Sequence, residues 1–139
     1  NKIENEFSQI FKTVGLGTTI WSPMASGLLS GKYNNGIPAD SRMAIEGFEW
    51  LKERWLTEDK LAKVKQLAAL ANELSISLPA LSIAWCLNNC NVTTVILGAT
   101  KKEQLLENLK ALDVVPMLTR EVIEKIENIV QTKPVQPQF

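Results

Sequence analysis

Apolar residues along the chain recur mostly at helical spacing. Phe7, Ile10, Phe11 and Val14 fall at i, i+3, i+4 and i+7, predicting a helix over Asn5–Val14 that stops at Gly15 and Gly17. A β-branched run, Thr18-Thr19-Ile20, follows and reads as a strand ending at Trp21. After a loop to Asp40, Ala44–Trp55 reads as a tryptophan-bearing helix. Thr57 is placed to cap a longer helix whose first turn carries Glu58 and Asp59, charges that complement its dipole. Leu61, Val64, Leu67, Ala68, Ala71 and Leu74 keep its helical spacing. Pro79 suits a first-turn position, with Leu81, Ala84, Trp85 and Leu87 as the next buried stripe. Val92–Leu97 reads as a strand covered on both faces. Thr100 and Glu103 then have capping-box spacing before a helix carrying Leu105, Leu106, Leu109 and Leu112. A last helix, Thr119–Gln131, carries Val122, Ile123, Ile126 and Val130, and the tail KPVQPQF has no periodicity.

The pattern is that of an α/β protein with two strands. A long helical crossover joins them, so they are expected to be parallel. Two parallel strands leave an unpaired edge on each side, which predicts an incomplete fold.

The totals narrow the function classes. The chain has 139 residues, 45% hydrophobic and 22% charged, enough for one core and too apolar for a disordered segment. Fifteen basic and fifteen acidic residues cancel, which argues against nucleic acid or an acidic membrane as a partner. No apolar run reaches the roughly 18 residues needed to cross a bilayer, so direct membrane insertion is not expected. The polar start, NKIENEF, does not read as a secretory signal, and without a methionine it is expected to lie inside a longer polypeptide. Cys86 and Cys90, with no histidine in the chain, cannot make a four-ligand zinc site, and they are expected to be reduced thiols among apolar neighbours.

Chemistry concentrates after the two strands. WSPMASGLLSGKY and GIPADSR follow the first, and VILGATKKEQLLEN contains the second and the segment after it. Both units bring hydroxyls, glycine and basic side chains to a strand's carboxyl end, and the second adds the free amides of a helix's first turn, which attract an anion. Read from spacing alone, Trp21 is core, Lys32 and Arg42 are solvated, and Gln104, Glu107 and Asn108 are the wet face of a capped helix.

Those motifs, with LPALSIAWCLNN and FEWLKERWL, resemble the aldo-keto reductases, and within them the cytoplasmic β subunits of voltage-gated potassium channels. The resemblance covers nearly the whole chain. It implies the carboxyl-terminal portion of an aldo-keto reductase (β/α)8 barrel, about its last quarter, in which strand-end loops form the site. It also implies NADPH as cofactor. Trp21 would stack on the nicotinamide, and Ser22, Pro23, Met24, Ser26 and Gly27 would line the pyrophosphate. Lys32 would contact the phosphates and Arg42 the adenosine end. Gly98 would let the backbone approach the ligand, Thr100 would offer a hydroxyl, and Gln104, Glu107 and Asn108 would hydrogen-bond the adenine or ribose. An arginine suits a 2′-phosphate because its planar fork matches phosphate oxygens.

The family's hydride chemistry needs a tyrosine acid supported by lysine, aspartate and usually histidine or asparagine, all from earlier strands. Here the single tyrosine, Tyr33, lies in the phosphate loop. The resemblance therefore implies a cofactor-binding part of a regulatory channel subunit: cytoplasmic, peripheral at the plasma membrane, tetrameric when complete, and seated on the channel α subunit's cytoplasmic domain. A fragment of an ordinary NADPH-dependent aldehyde reductase is the alternative. A third expectation is a chain that aggregates or depends on a missing part, because its strand edges are open.

Overall fold

A computed structural model describes residues 3–135. Its elements in chain order are α1 (Ser8–Val14), β1 (Thr19–Ile20), α2 (Glu49–Trp55), α3 (Glu58–Glu73), α4 (Leu78–Leu87), β2 (Thr94–Val95), α5 (Lys102–Leu109), α6 (Ala111–Val114) and α7 (Arg120–Val130), with 3₁₀ turns at Ala25–Ser30, Arg42–Ala44 and Val115–Met117. The strands pair in parallel, Thr19 beside Thr94 and Ile20 beside Val95. The crossover between them is the helical run α2–α4. This is the arrangement expected of an incomplete barrel, with two parallel strands among the described residues.

Helix α4 is the centre of the packing. Ser77 caps it, its side chain accepting from the Ala80 amide, and Pro79 sits in its first turn where no intrahelical amide is lost. Leu78, Ala80, Leu81, Ile83 and Ala84 are buried all round, and the hydroxyl of Ser82 is satisfied by donating to the Leu78 carbonyl. Around it α3 contributes Val64, Leu67, Leu70 and Ala71, and α6 and α7 contribute Ala111, Val114, Val122 and Ile126. Thr57 caps α3 as its position predicts, accepting from the Lys60 amide, and Thr119 caps α7, accepting from the Val122 amide. Tyr33, Met43 and Leu51 form a smaller cluster under the loop that follows β1.

Several expectations are corrected. The first helix begins at Ser8, three residues after Asn5, and buries none of its residues. The segment 44–55 is broken: Gly47 takes a positive φ of 85°, and α2 starts only at Glu49. Both strands shrink to two residues. Val92–Leu97 is not covered on both faces, because Val95 and Leu97 pack against the core while Thr94 and Ile96 stay exposed. Trp85 points out of the α4 stripe at 43% exposure. Thr100 does not cap α5: Lys101 is the N-cap residue, without a side-chain cap. The leucine run is split by a new helix start at Ala111, and Leu105, Leu106, Leu109 and Leu112 are all exposed. The cysteines are free thiols as expected, but only Cys86 is half-buried and its thiol is pushed up by that burial; Cys90 is exposed. Residues 1–2 and 136–139 of the two polar ends lie outside the described residues.

Candidate functional site

Beyond the strands' carboxyl ends lies an open cleft of about 1280 Å³. Its first wall is the loop after β1. There Ser22, Ala25 and Ser26 hold positive φ of 57°, 48° and 58°, followed by Gly27 at 94°. Left-handed backbone at a non-glycine residue costs on the order of 1–3 kcal/mol, so such a cluster persists only where its surroundings hold it. Leu28, buried in the core, anchors the loop, and the Ser30 hydroxyl donates to the Gly27 carbonyl at 2.7 Å. Gly27 also leaves room for the lysine: a Cβ there would stand 3.2 Å from Lys32 Cε. The Lys32 ammonium sits over the Tyr33 ring, 5.1 Å from its centroid.

The segment Pro38–Ile45 continues this wall. Ser41 and Met43 point inward and are buried, which leaves Arg42 exposed between them. The Ser41 hydroxyl oxygen is buried without a hydrogen-bond partner.

The opposite wall is the β2–α5 unit. Gln104 folds back so that its Oε1 accepts from the Thr100 amide at 2.9 Å and from the Thr100 hydroxyl at 3.2 Å. This replaces the expected capping box. Gly98 has no atom within 4 Å of where a Cβ would stand, so nothing within the chain requires a glycine there. Glu107 is paired with the Lys110 ammonium at 2.6 Å. That bond first, and the Ser77 hydroxyl second, hold its carboxyl below the usual value. Asn108 is 3% exposed, and its Nδ2 has no partner.

Ser22, Pro23, Met24, Ser26, Gly27, Lys32, Arg42, Gly98, Thr100, Gln104, Glu107 and Asn108 all line this one cleft, although the two groups are far apart in sequence. Trp21 is not among the lining residues and stands 77% exposed. The structure also brings in residues that the motifs did not single out: Ser30, Pro38, Asp40, Ser41, Ile45, Lys101 and Glu103, with Pro79 and Ile83 of α4. GIPADSR is visible as a motif, but nothing in its spacing says that Asp40 and Ser41 face the same space as Arg42. Three basic residues (Lys32, Arg42, Lys101) and three acidic ones (Asp40, Glu103, Glu107) meet there. Among the described residues no group of three or more acids, cysteines or histidines is placed to hold a metal ion, and no single helix is long and apolar enough to cross a membrane.

A parallel strand pair with helical crossovers and a cleft at the strands' carboxyl ends is the construction of a barrel-type site. The chain belongs to the aldo/keto reductase family, whose pattern it matches over residues 1–131. Among characterised sequences it is 56% identical over 135 residues to a probable voltage-gated potassium channel subunit beta of Oryza sativa subsp. japonica, an alignment covering 96% of this chain and 41% of that protein. It is 50% identical over 139 residues to a probable voltage-gated potassium channel subunit beta of Arabidopsis thaliana, covering 99% of this chain and 42% of that one. The chain thus spans about two fifths of the length of these relatives.

Proposed function

We propose that this chain is the NADPH-binding part of a regulatory potassium-channel β subunit, and that the cleft between its two strand-end loops takes the cofactor's phosphates and adenosine. The carrying observation is the pair of buried, unpartnered polar atoms, Ser41 Oγ and Asn108 Nδ2, on opposite walls of a cleft that also presents Lys32 and Arg42. An unmatched buried polar atom costs about 1–3 kcal/mol, and a polar ligand relieves that cost after a small side-chain rotation. The donor set fits an elongated phosphorylated nucleotide: cations for the phosphates, an amide and a carboxylate for the base and ribose.

Bound NADPH supplies a hydride; the residues here bind and orient it. Lys32 and Arg42 neutralise the phosphates, Gln104 holds the Thr100 hydroxyl at the mouth of α5, and Asn108 offers two donors. Trp21, exposed beside the cleft, is free to fold onto the nicotinamide as the cofactor seats. The acid that completes carbonyl reduction is assigned to the part of the barrel outside this chain. Association with a voltage-gated potassium channel is supported by the relatives' names and belongs to the whole protein, as do the proposed cytoplasmic location and four-fold assembly.

The test is a titration of the 139-residue chain with NADPH and NADH, followed by tryptophan fluorescence. The expected result is saturable quenching that favours NADPH. Trp21→Ala should remove much of the quench, and Arg42→Ala should weaken NADPH binding about ten- to a hundredfold, the worth of a charge-assisted contact. A well-folded chain that shows no quenching and retains no nucleotide in equilibrium dialysis would overturn the reading.

A further inference from the structure

Across the mouth of the cleft the Asp40 carboxylate reaches the Lys101 ammonium at 3.7 Å, joining the loop after β1 to the start of α5. This is a contact between the two walls, and Lys101 is one of three cations lining the cleft. Both side chains are largely exposed, 80% and 64%, so the pair is easily opened and screened by salt. Asp40 lies two residues before Arg42, and Lys101 three before Gln104. The pair therefore stands at the adenosine end of the proposed nucleotide site, and the role assigned to it rests on that reading. The second sign that this end takes a ligand is the buried, unpartnered Ser41 Oγ, adjacent to Asp40 in the chain.

We propose that Asp40 sets the charge selectivity of the cleft: it occupies Lys101 and thereby limits the advantage of an adenosine ligand bearing an extra phosphate. A dianionic phosphate arriving beside Arg42 competes with Asp40 for Lys101 and is also repelled by the carboxylate. A ligand with a free ribose hydroxyl at that place meets neither effect. Arg42 favours the phosphorylated form, and Asp40 holds that preference down. An acid at this point makes the cleft adjustable, because one charge change shifts its choice of ligand without altering the rest of the wall.

The probes are 2′,5′-ADP and 5′-AMP, which differ only by the 2′-phosphate on the adenosine ribose and need no nicotinamide contact. Calorimetric titration of the full 139-residue chain at low salt should show Asp40→Asn tightening 2′,5′-ADP about three- to tenfold, with 5′-AMP changed less than about twofold. Raising the salt several-fold should compress that difference. Lys101→Gln should weaken 2′,5′-ADP by a similar factor, and it serves as the second variant should Asp40→Asn melt early. An unchanged ratio of the two ligands in both variants, with the wild-type chain binding both, overturns the role of Asp40 and leaves the cleft reading standing. No binding of either ligand by a folded wild-type chain overturns both.

Discussion

On one side of the molecule α3, α4, α6 and α7 bury their apolar stripes in a shared core; on the other, α1, β2 and α5 leave comparable residues in water. Leu81 is 2% exposed and Ala84 0%, whereas Val14 of α1 stands at 72%, Ile96 just past β2 at 53% and Leu106 of α5 at 54%. The two sides are written in the same code of helical spacing. They differ in whether a neighbour exists to receive the apolar face. Helix α4 is enclosed by α3, α5, α6 and the loop after β1, while α1 has no such enclosure and buries nothing. An amphipathic stripe states that a face must be covered; it does not say by what. The cleft lies along the seam, with one wall anchored in the buried core through Leu28 and Met43 and the other on the exposed α5.

The contrast breaks most directly at single leucines. Leu81→Ala should cost about 2–5 kcal/mol in urea denaturation, while Leu106→Ala should cost less than about 0.5 kcal/mol. Equal losses would mean that the α5 side is covered in solution and that the comparison is false. The two glycines of the cleft give the next largest difference. Gly27→Ala forces a side chain into a φ of +94° against Lys32 and should destabilise by about 1–2 kcal/mol, where Gly98→Ala, with open space around it, should leave the melt unchanged. If Gly98→Ala nevertheless weakens NADPH binding, the glycine serves the ligand rather than the fold.

Caps sharpen the comparison further. Thr119→Ala removes an observed bond to the Val122 amide and should cost about 1 kcal/mol, visible as a lowered melting temperature. Thr100→Ala should cost less, since that hydroxyl meets only the exposed Gln104 side chain. The smallest effect concerns pH. Glu107 is held below its ordinary value of 4.5, so its contribution to stability is complete above that pH and is lost as pH falls through the lower folded value. Glu107→Gln should therefore be less stable than wild type near neutrality, with the gap closing as acid is added. A gap that widened in acid would show that Lys110 is not its partner.

Much of this was legible from residue order. Thr57, Pro79 and Thr119 mark helix starts because caps and first-turn prolines act through the backbone within a few residues. The stripes of α3 and α7 follow from a period that one turn of helix imposes. The parallel pairing follows from the length of the crossover. By contrast, the Thr100–Glu103 box failed because Gln104 competes for the same loop amide, a choice between two neighbours of similar strength. The helix over 44–55 failed at Gly47, where a residue free to take positive φ let the chain turn.

At the site, all thirteen ligand candidates came from three motifs, and the convergence of twelve of them on one cleft is a tertiary fact. Asp40, Ser41 and Lys101 were missed because facing a cleft depends on which way a loop folds. No periodicity encodes that. Trp21 shows the reverse: its motif marked it, and the folded chain leaves it outside the lining.

Residue order alone determined that most of the chain is helical, where three of the helices begin, that two strands run parallel, and that polar chemistry gathers after each strand. Those properties come from interactions within a few residues, or from chain length between elements. Only the tertiary structure decided which apolar faces are buried, that the Asp40 loop and the start of α5 meet across one space, and that Ser41 and Asn108 carry polar atoms there without partners. Burial and encounter depend on residues distant in the chain, and their free energy appears only when those residues are brought together.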